Sequence, residues 1–201
     1  MARKIFKERW RGGGGGSKAD MTDIGAEEPF DAVVASANEA MVVVTVAAGE
    51  QRAGCLVGFH SQTSIEPRRY TVWLSKANHT YRVALLATHL AIHFLTDADR
   101  DLAEVFGAVS GDDIDKFARS DWEPGPHGVP LLHRCPNRLV MARTTLLDDG
   151  GDHVAVSARP IAAHSAGGFT PLRFADVRDL DPGHEADERP GSVPDHGHRG
   201  S

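Results

Sequence analysis

The chain reads as a mainly β domain, an antiparallel barrel with short helices on its flank. Three observations predict it. Apolar, β-branched runs such as Met41–Ala47 (MVVVTVA) are too short for ordinary helices and read as buried strands. Turn signals separate paired runs, with Ala48-Gly49-Glu50-Gln51 in the first pair and Asp148-Asp149-Gly150-Gly151 in the last. Helical spacing is confined to two or three short segments, and no Gly-x-Gly-x-x-Gly or P-loop pattern accompanies them. Five or six strands in hairpin-linked pairs suit a closed antiparallel barrel.

Bulk properties narrow the reading. With 201 residues, 41% of them hydrophobic, one sizeable core and one domain are expected. A net charge of -6 without a basic stripe in the body of the chain argues against a nucleic-acid partner. No apolar run approaches the roughly 18 residues of a membrane span, and the start lacks the apolar core of a secretory signal, so a cytoplasmic protein is expected. Cys55 and Cys135 are the only cysteines and hold no metal spacing, so no metal site is expected. Residues 1–20 carry six basic and two acidic side chains, a net of +4 that leaves -10 for the remainder. Followed by the Gly12–Gly16 linker, they read as an appended basic peptide with Met21 as the original start, or else as a natural docking arm. The domain proper is expected over 21–180, and the Pro-, Gly-, Asp- and His-rich 181–201 reads as a disordered tail.

Taken in order, Pro29–Asn38 suits a short helix with Pro near its start. Met41–Ala47 and Ala53–Phe59 pair as a hairpin, in which Gly54 and Gly58 permit either a close approach or a bulge. His60–Ser64 reads as a polar, hydroxyl-rich bend ended by Pro67, and Arg69–Leu74 as the next strand. Tyr81–Leu90 sets Val83, Leu86 and Leu90 at helical spacing. Ala91–Leu95 alternates as a strand, with Ile92 and Phe94 on one face and His93 on the other, where a wet interface is expected. Thr96–Asp99 is composed as the cap of a helix running to Phe106 and stopped by Gly107. Asp112–Ala118 suits a short helix, and the Gly- and Pro-rich Ser120–Pro130 a loop. Asn137–Leu147 and Asp152–Ala163 form the closing hairpin.

Chemistry concentrates between Gly54 and Thr80. Two hydroxyl-bearing turns, one around Ser61 and one at Ser75-Lys76-Ala77-Asn78-His79-Thr80, fall at the ends of neighbouring strands. The second adds a Lys charge and the free N–H groups of a helix start, so the pair can grip the phosphate of a phosphorylated cofactor. The plainer reading is that Ser, Thr and Asn close turns and cap a helix.

The order of motifs favours the first. Gly54-x-x-x-Gly58-Phe59-x-Ser61, Ser64-Ile65-x-Pro67, an apolar strand and Ser75-Lys76-x-x-x-Thr80 are followed by Asp115-Lys116-Phe117, Pro130-Leu131-Leu132 and Gly151-Asp152-His153. From about Met41 to Leu172 this resembles the flavin reductase-like FMN-binding split-barrel family. The resemblance implies a split barrel acting as a homodimer, with one FMN at each subunit interface. NAD(P)H would reduce the flavin, which would serve an acceptor such as a monooxygenase. It places Cys55, Leu56, Val57, Gly58, Phe59, His60 and Ser61 against the flavin, with Lys76, Asn78, His79 and Thr80 at the phosphate and Phe94 on the core strand. His153 would meet the flavin edge or the reductant as the catalytic candidate, although Gly-Asp-His is also a plain hairpin turn.

Departures keep other readings open. Leu56-Val57-Gly58-Phe59-His60-Ser61 stands where Thr-x-Ser-Ser-Phe is common, and Cys55 lies close to where a Thr is common. His93 replaces the usual Asn or Val, and Pro67-Arg68 the usual Pro-Pro. A non-catalytic flavin-binding electron carrier or sensor, FAD in place of FMN, or a deazaflavin-dependent reductase on the same barrel fits these changes. A catalytic thiol at Cys55 does not, because apolar neighbours raise its pKa.

Overall fold

A computed structural model describes residues 25–108 and 115–180. The basic peptide, its glycine linker, the tail from 181 and the start of the Asp112–Ala118 helix lie outside the described residues. Strands β1 (Val42–Ala48), β2 (Gln51–Val57), β3 (His60–Ser64), β4 (Arg69–Ser75) and β5 (His89–Phe94) come first. A short hairpin, β6 (Trp122–Pro124) and β7 (Pro130–Leu132), precedes the long β8 (Arg138–Leu147) and β9 (His153–His164). Seven strands form one sheet in the order β2-β1-β5-β8-β9-β4-β3, and β6 pairs with β7 alone. Every pairing is antiparallel. The sheet curls but keeps two edges, β2 and β3, which follow one another through Gly58 and Phe59. That open seam is what a split barrel means here.

The apolar run of β1 is continuous because both of its faces are covered. Val42, Val44 and Val46 join Cys55, Val72, Leu74, Ile92, Met141 and Val156 in the core inside the curl. Val43 packs outward with Met41, Leu95, Leu102, Phe106 and Leu132. Thr45, buried on the outer face, donates its hydroxyl to the Pro130 carbonyl at 2.6 Å and ties the β6–β7 hairpin down.

Helix α1 (Glu27–Ala37) begins two residues earlier than the Pro29 signal and ends on Asn38 in the left-handed region, as a polar C-cap can. Helix α2 (His79–Leu86) is capped by Asn78, whose side chain accepts from the Thr80 N–H at 3.0 Å. Helix α3 (Arg100–Gly107) follows one turn of 3-10 helix, and the Thr96/Asp99 capping box is present. Helix α4 (Phe174–Val177) closes the described chain.

Four expectations are corrected. His60–Ser64 is an edge strand with a bulge between Gln62 and Ser64, and its polar side chains reflect the solvent on its open side. The helix expected over Tyr81–Leu90 stops at Leu86, because His89–Phe94 is claimed by β1 on one side and β8 on the other. Leu86 is therefore exposed, while Leu90 is core. Ser120–Pro130 contains the β6 strand and most of a hairpin rather than loop alone. His93 faces no wet interface and is fully buried beneath that hairpin.

Candidate functional site

Three chain segments meet at one end of the sheet: the β2–β3 link, the end of β4 and the start of β9. Gly58 sits against the Met41 sulfur, where an added Cβ would lie 3.3 Å away. The next residue, Phe59, stands 53% exposed. The Phe59 ring meets His153 edge-on at 5.2 Å. Ser75 pairs with His153 across β4 and β9, and the Lys76 N–H donates to the Asp152 carbonyl at 2.9 Å. His153 donates its Nδ1 hydrogen to Asp152 Oδ1 at 2.8 Å, since a carboxylate only accepts. Lys76 Nζ bonds Asp148 Oδ1 at 2.7 Å. Asn78 and His79 open α2 directly beyond, with Arg82 donating to His79 Nδ1 at 3.3 Å.

The remaining residues singled out in the sequence fall behind or beside this wall. Cys55, Val57 and Thr80 are buried. Thr80 hydrogen-bonds to Cys55, whose thiol is pushed up by burial, with the charge of Lys116 acting against that rise. Leu56 points outward against Gly107 in the second core. Ser61 is exposed on the edge strand. Phe94 belongs to an adjoining aromatic group with His60, Tyr70 and Phe169, at centroid distances of 6.1 to 6.3 Å.

His60 links the two groups. Its Nε2 lies 2.9 Å from the Ala40 carbonyl, so Nε2 carries the hydrogen, and Nδ1 accepts from the Tyr70 hydroxyl at 2.6 Å. Burial holds this imidazole below its usual range, against the Ala40 carbonyl and Glu39, which favour the charged form. Burial, helped by Glu39, pushes Tyr70 up to about 12. Tyr70→Phe should therefore let the His60 pKa rise, because the neutral ring loses the donor at its accepting nitrogen. An NMR titration of the His60 ring checks it, and an unshifted midpoint would contradict the donor assignment.

Tyr70, Phe169 and Asp148 escaped the sequence reading. Asp148 lies 72 residues from Lys76, and only the register of β4 on β9 brings them together. A cleft of about 410 Å³ between α3 and the β7 end, lined in part by Asp101, Arg119, Asp121 and Arg134, contains none of the wall residues. The Arg134 guanidinium there is paired with Asp101 at 2.6 Å. Among the described residues no group of three His, Cys, Asp or Glu could hold a metal ion.

Known proteins share this architecture. A flavin reductase domain protein from Arthrobacter sp. FB24 superposes with a TM-score of 0.67 at 20% identity, covering 75% of this chain and 91% of that one. The stachydrine N-demethylase reductase subunit Stc3 of Rhizobium meliloti is 29% identical over 128 residues, 62% of this chain and 54% of the relative. SmoA of Agrobacterium fabrum, an FMN reductase (NADH), is 30% identical over 138 residues, 67% of this chain and 74% of the relative. The chain thus spans about half the length of Stc3 and three quarters of SmoA. Residues 35–179 match the flavin reductase like domain, and the chain belongs to that family.

Proposed function

We propose that the wall binds FMN and that the protein is a flavin reductase, drawing on NADH or NADPH and delivering reduced flavin or its electrons to an acceptor. The observation that carries this is the convergence of Phe59, Lys76, the Asn78-capped start of α2 and His153 in a chain of this family. When bound, FMN supplies the chemistry, accepting hydride from a nicotinamide and passing electrons on. The donor set fits the group. Lys76 offers a cation and Ser61 an exposed hydroxyl for the phosphate and ribityl chain. The exposed Phe59 ring gives the isoalloxazine an apolar face, and His153, its Nδ1 fixed on Asp152, keeps Nε2 for the ring edge or the nicotinamide. Cys55, Val57 and Thr80 act as backing that fixes the strand and helix carrying these groups.

The acceptor we propose is a separate monooxygenase, since HsaB of Mycobacterium tuberculosis, 28% identical over 106 residues, is named the reductase subunit of a flavin-dependent monooxygenase. The protein we propose is a homodimer. Helix α1 buries none of its residues, and Phe30, Val33 and Val34 stand exposed. An 11-residue helix is marginal alone in water, and a second copy would cover it. Among the described residues no helix is long and apolar enough to cross a membrane. Two buried free thiols suit a reducing cytoplasm.

Anaerobic titration of the purified protein tests the reading. FMN should bind with a shifted flavin spectrum that bleaches on addition of NADH or NADPH. Flavin that binds but stays oxidised would overturn the reductase reading in favour of a carrier or a deazaflavin reductase, and no binding would overturn the site. Lys76→Ala should weaken FMN binding about tenfold through loss of a charge-assisted contact. Fluorescence quenching gives the affinity.

A further inference from the structure

We infer that Asp148 competes with the FMN phosphate for Lys76 and so lowers the advantage this chain gives FMN over riboflavin. The inference rests on the reading of the wall as an FMN site. Lys76 is the cation at the phosphate end, and its ammonium is engaged by Asp148 Oδ1 at 2.7 Å. The engagement is built by the turn. Asp148 Oδ1 also accepts from the Gly150 N–H at 2.9 Å, and Asp149 Oδ1 from the Gly151 N–H at 3.1 Å. These local bonds hold the carboxylate at the height of β4's last residues before any long side chain has to find it. The carboxyl is held below the usual carboxylate range, first by the Lys76 bond and then by the Gly150 N–H, so it is charged at neutral pH.

A phosphate approaching Lys76 therefore meets a rival anion of the same sign. Asp149 and Asp152 add charge on the same turn, and the Asp152 carbonyl anchors the Lys76 backbone. Part of the affinity a phosphate would draw from Lys76 is consumed in displacing Asp148. A flavin without phosphate has no such rival. The acidic turn thus selectively lowers the advantage of FMN over riboflavin.

Asp148→Asn isolates the effect, because the amide oxygen still accepts from the Gly150 N–H while the negative charge facing Lys76 is removed. Fluorescence titration of FMN and of riboflavin should show FMN binding about fivefold tighter in Asp148→Asn, with riboflavin within twofold of wild type. In a Lys76→Met background the same substitution should change FMN affinity by less than twofold. An unchanged FMN affinity would overturn the inference, as would FMN and riboflavin tightening together, which would mark an effect of the turn's shape. Wild-type protein that binds neither flavin would instead remove the FMN reading of the wall, and this inference with it.

Discussion

Lowering the pH from above 6.5 to 4 should remove about 3 kcal/mol of folding stability through one imidazole, that of His93. The ring is fully buried and spans two layers. Leu132 donates its N–H to Nε2 at 3.1 Å, so the hydrogen sits on Nδ1, which donates to the Val43 carbonyl at 3.2 Å. A second ring proton would face the Leu132 N–H with no acceptor. Burial, with the nearby Arg138 charge, takes the pKa down to about 4, although the Val43 carbonyl acts in the opposite sense. The unfolded chain takes up its proton near 6.5, so between 6.5 and 4 it binds more protons than the folded one, and stability falls as pH falls. Above 6.5 both states are neutral and the full stability is present. Burial depresses His60 and His89 as well, so both act in the same direction. Urea unfolding at stepped pH, comparing wild type with His93→Asn, isolates the term: the difference in stability should shrink as the pH drops. A constant difference would show that His93 titrates normally. Because Leu132 lies in β7, its amide should also lose exchange protection first on acidification, as the hairpin lifts from β5.

The barrel was legible where periodicity and turn chemistry act locally. The β1–β2 hairpin, the β8–β9 hairpin and the Thr96/Asp99 box all follow from residues within a few positions of one another. What stayed hidden depends on partners far along the chain. His93 looked solvent-facing because it alternates with Ile92 and Phe94, yet the face it occupies is roofed by Leu132, 39 residues later. The polar His60–Ser64 stretch lacked an apolar stripe because an edge strand has little to bury. The motif order singled out Phe59, Lys76, Asn78 and His153, which the structure brings to one end of the sheet. It could not distinguish Thr80, whose hydroxyl turns inward to Cys55, from a residue that turns outward. Nor could it reveal that Lys76 already has an anionic neighbour.

Phe106→Ala should be the most damaging single truncation, at about 3–5 kcal/mol, and the reason reaches the wall that carries Phe59. The ring is 1% exposed and packs against β2 at Gly54, where an added Cβ would come within 2.7 Å of Cε1 and 3.0 Å of Cδ1. It cannot swing aside, because Phe117 packs edge-on at 5.8 Å and the Lys116 ammonium lies 5.9 Å from its centre. That ammonium, buried and held below its usual range by desolvation, donates to the carbonyls of both Gly54 and Phe106 at 3.2 and 3.0 Å. Strand β2 and helix α3 are thus locked at one point, four residues before Gly58. Gly54→Ala should cost about 1–3 kcal/mol by overpacking and displace the β2–β3 link enough to weaken FMN binding. Phe106→Leu in the same chain should relieve part of that strain, so the double variant should be at least about 1 kcal/mol more stable than the sum of the single losses predicts. Chemical denaturation of the four proteins measures the coupling. Strictly additive losses would mean that β2 yields to the methyl by moving away from the ring, and the link carrying Phe59 would then be set by Met41 and Gly58 instead.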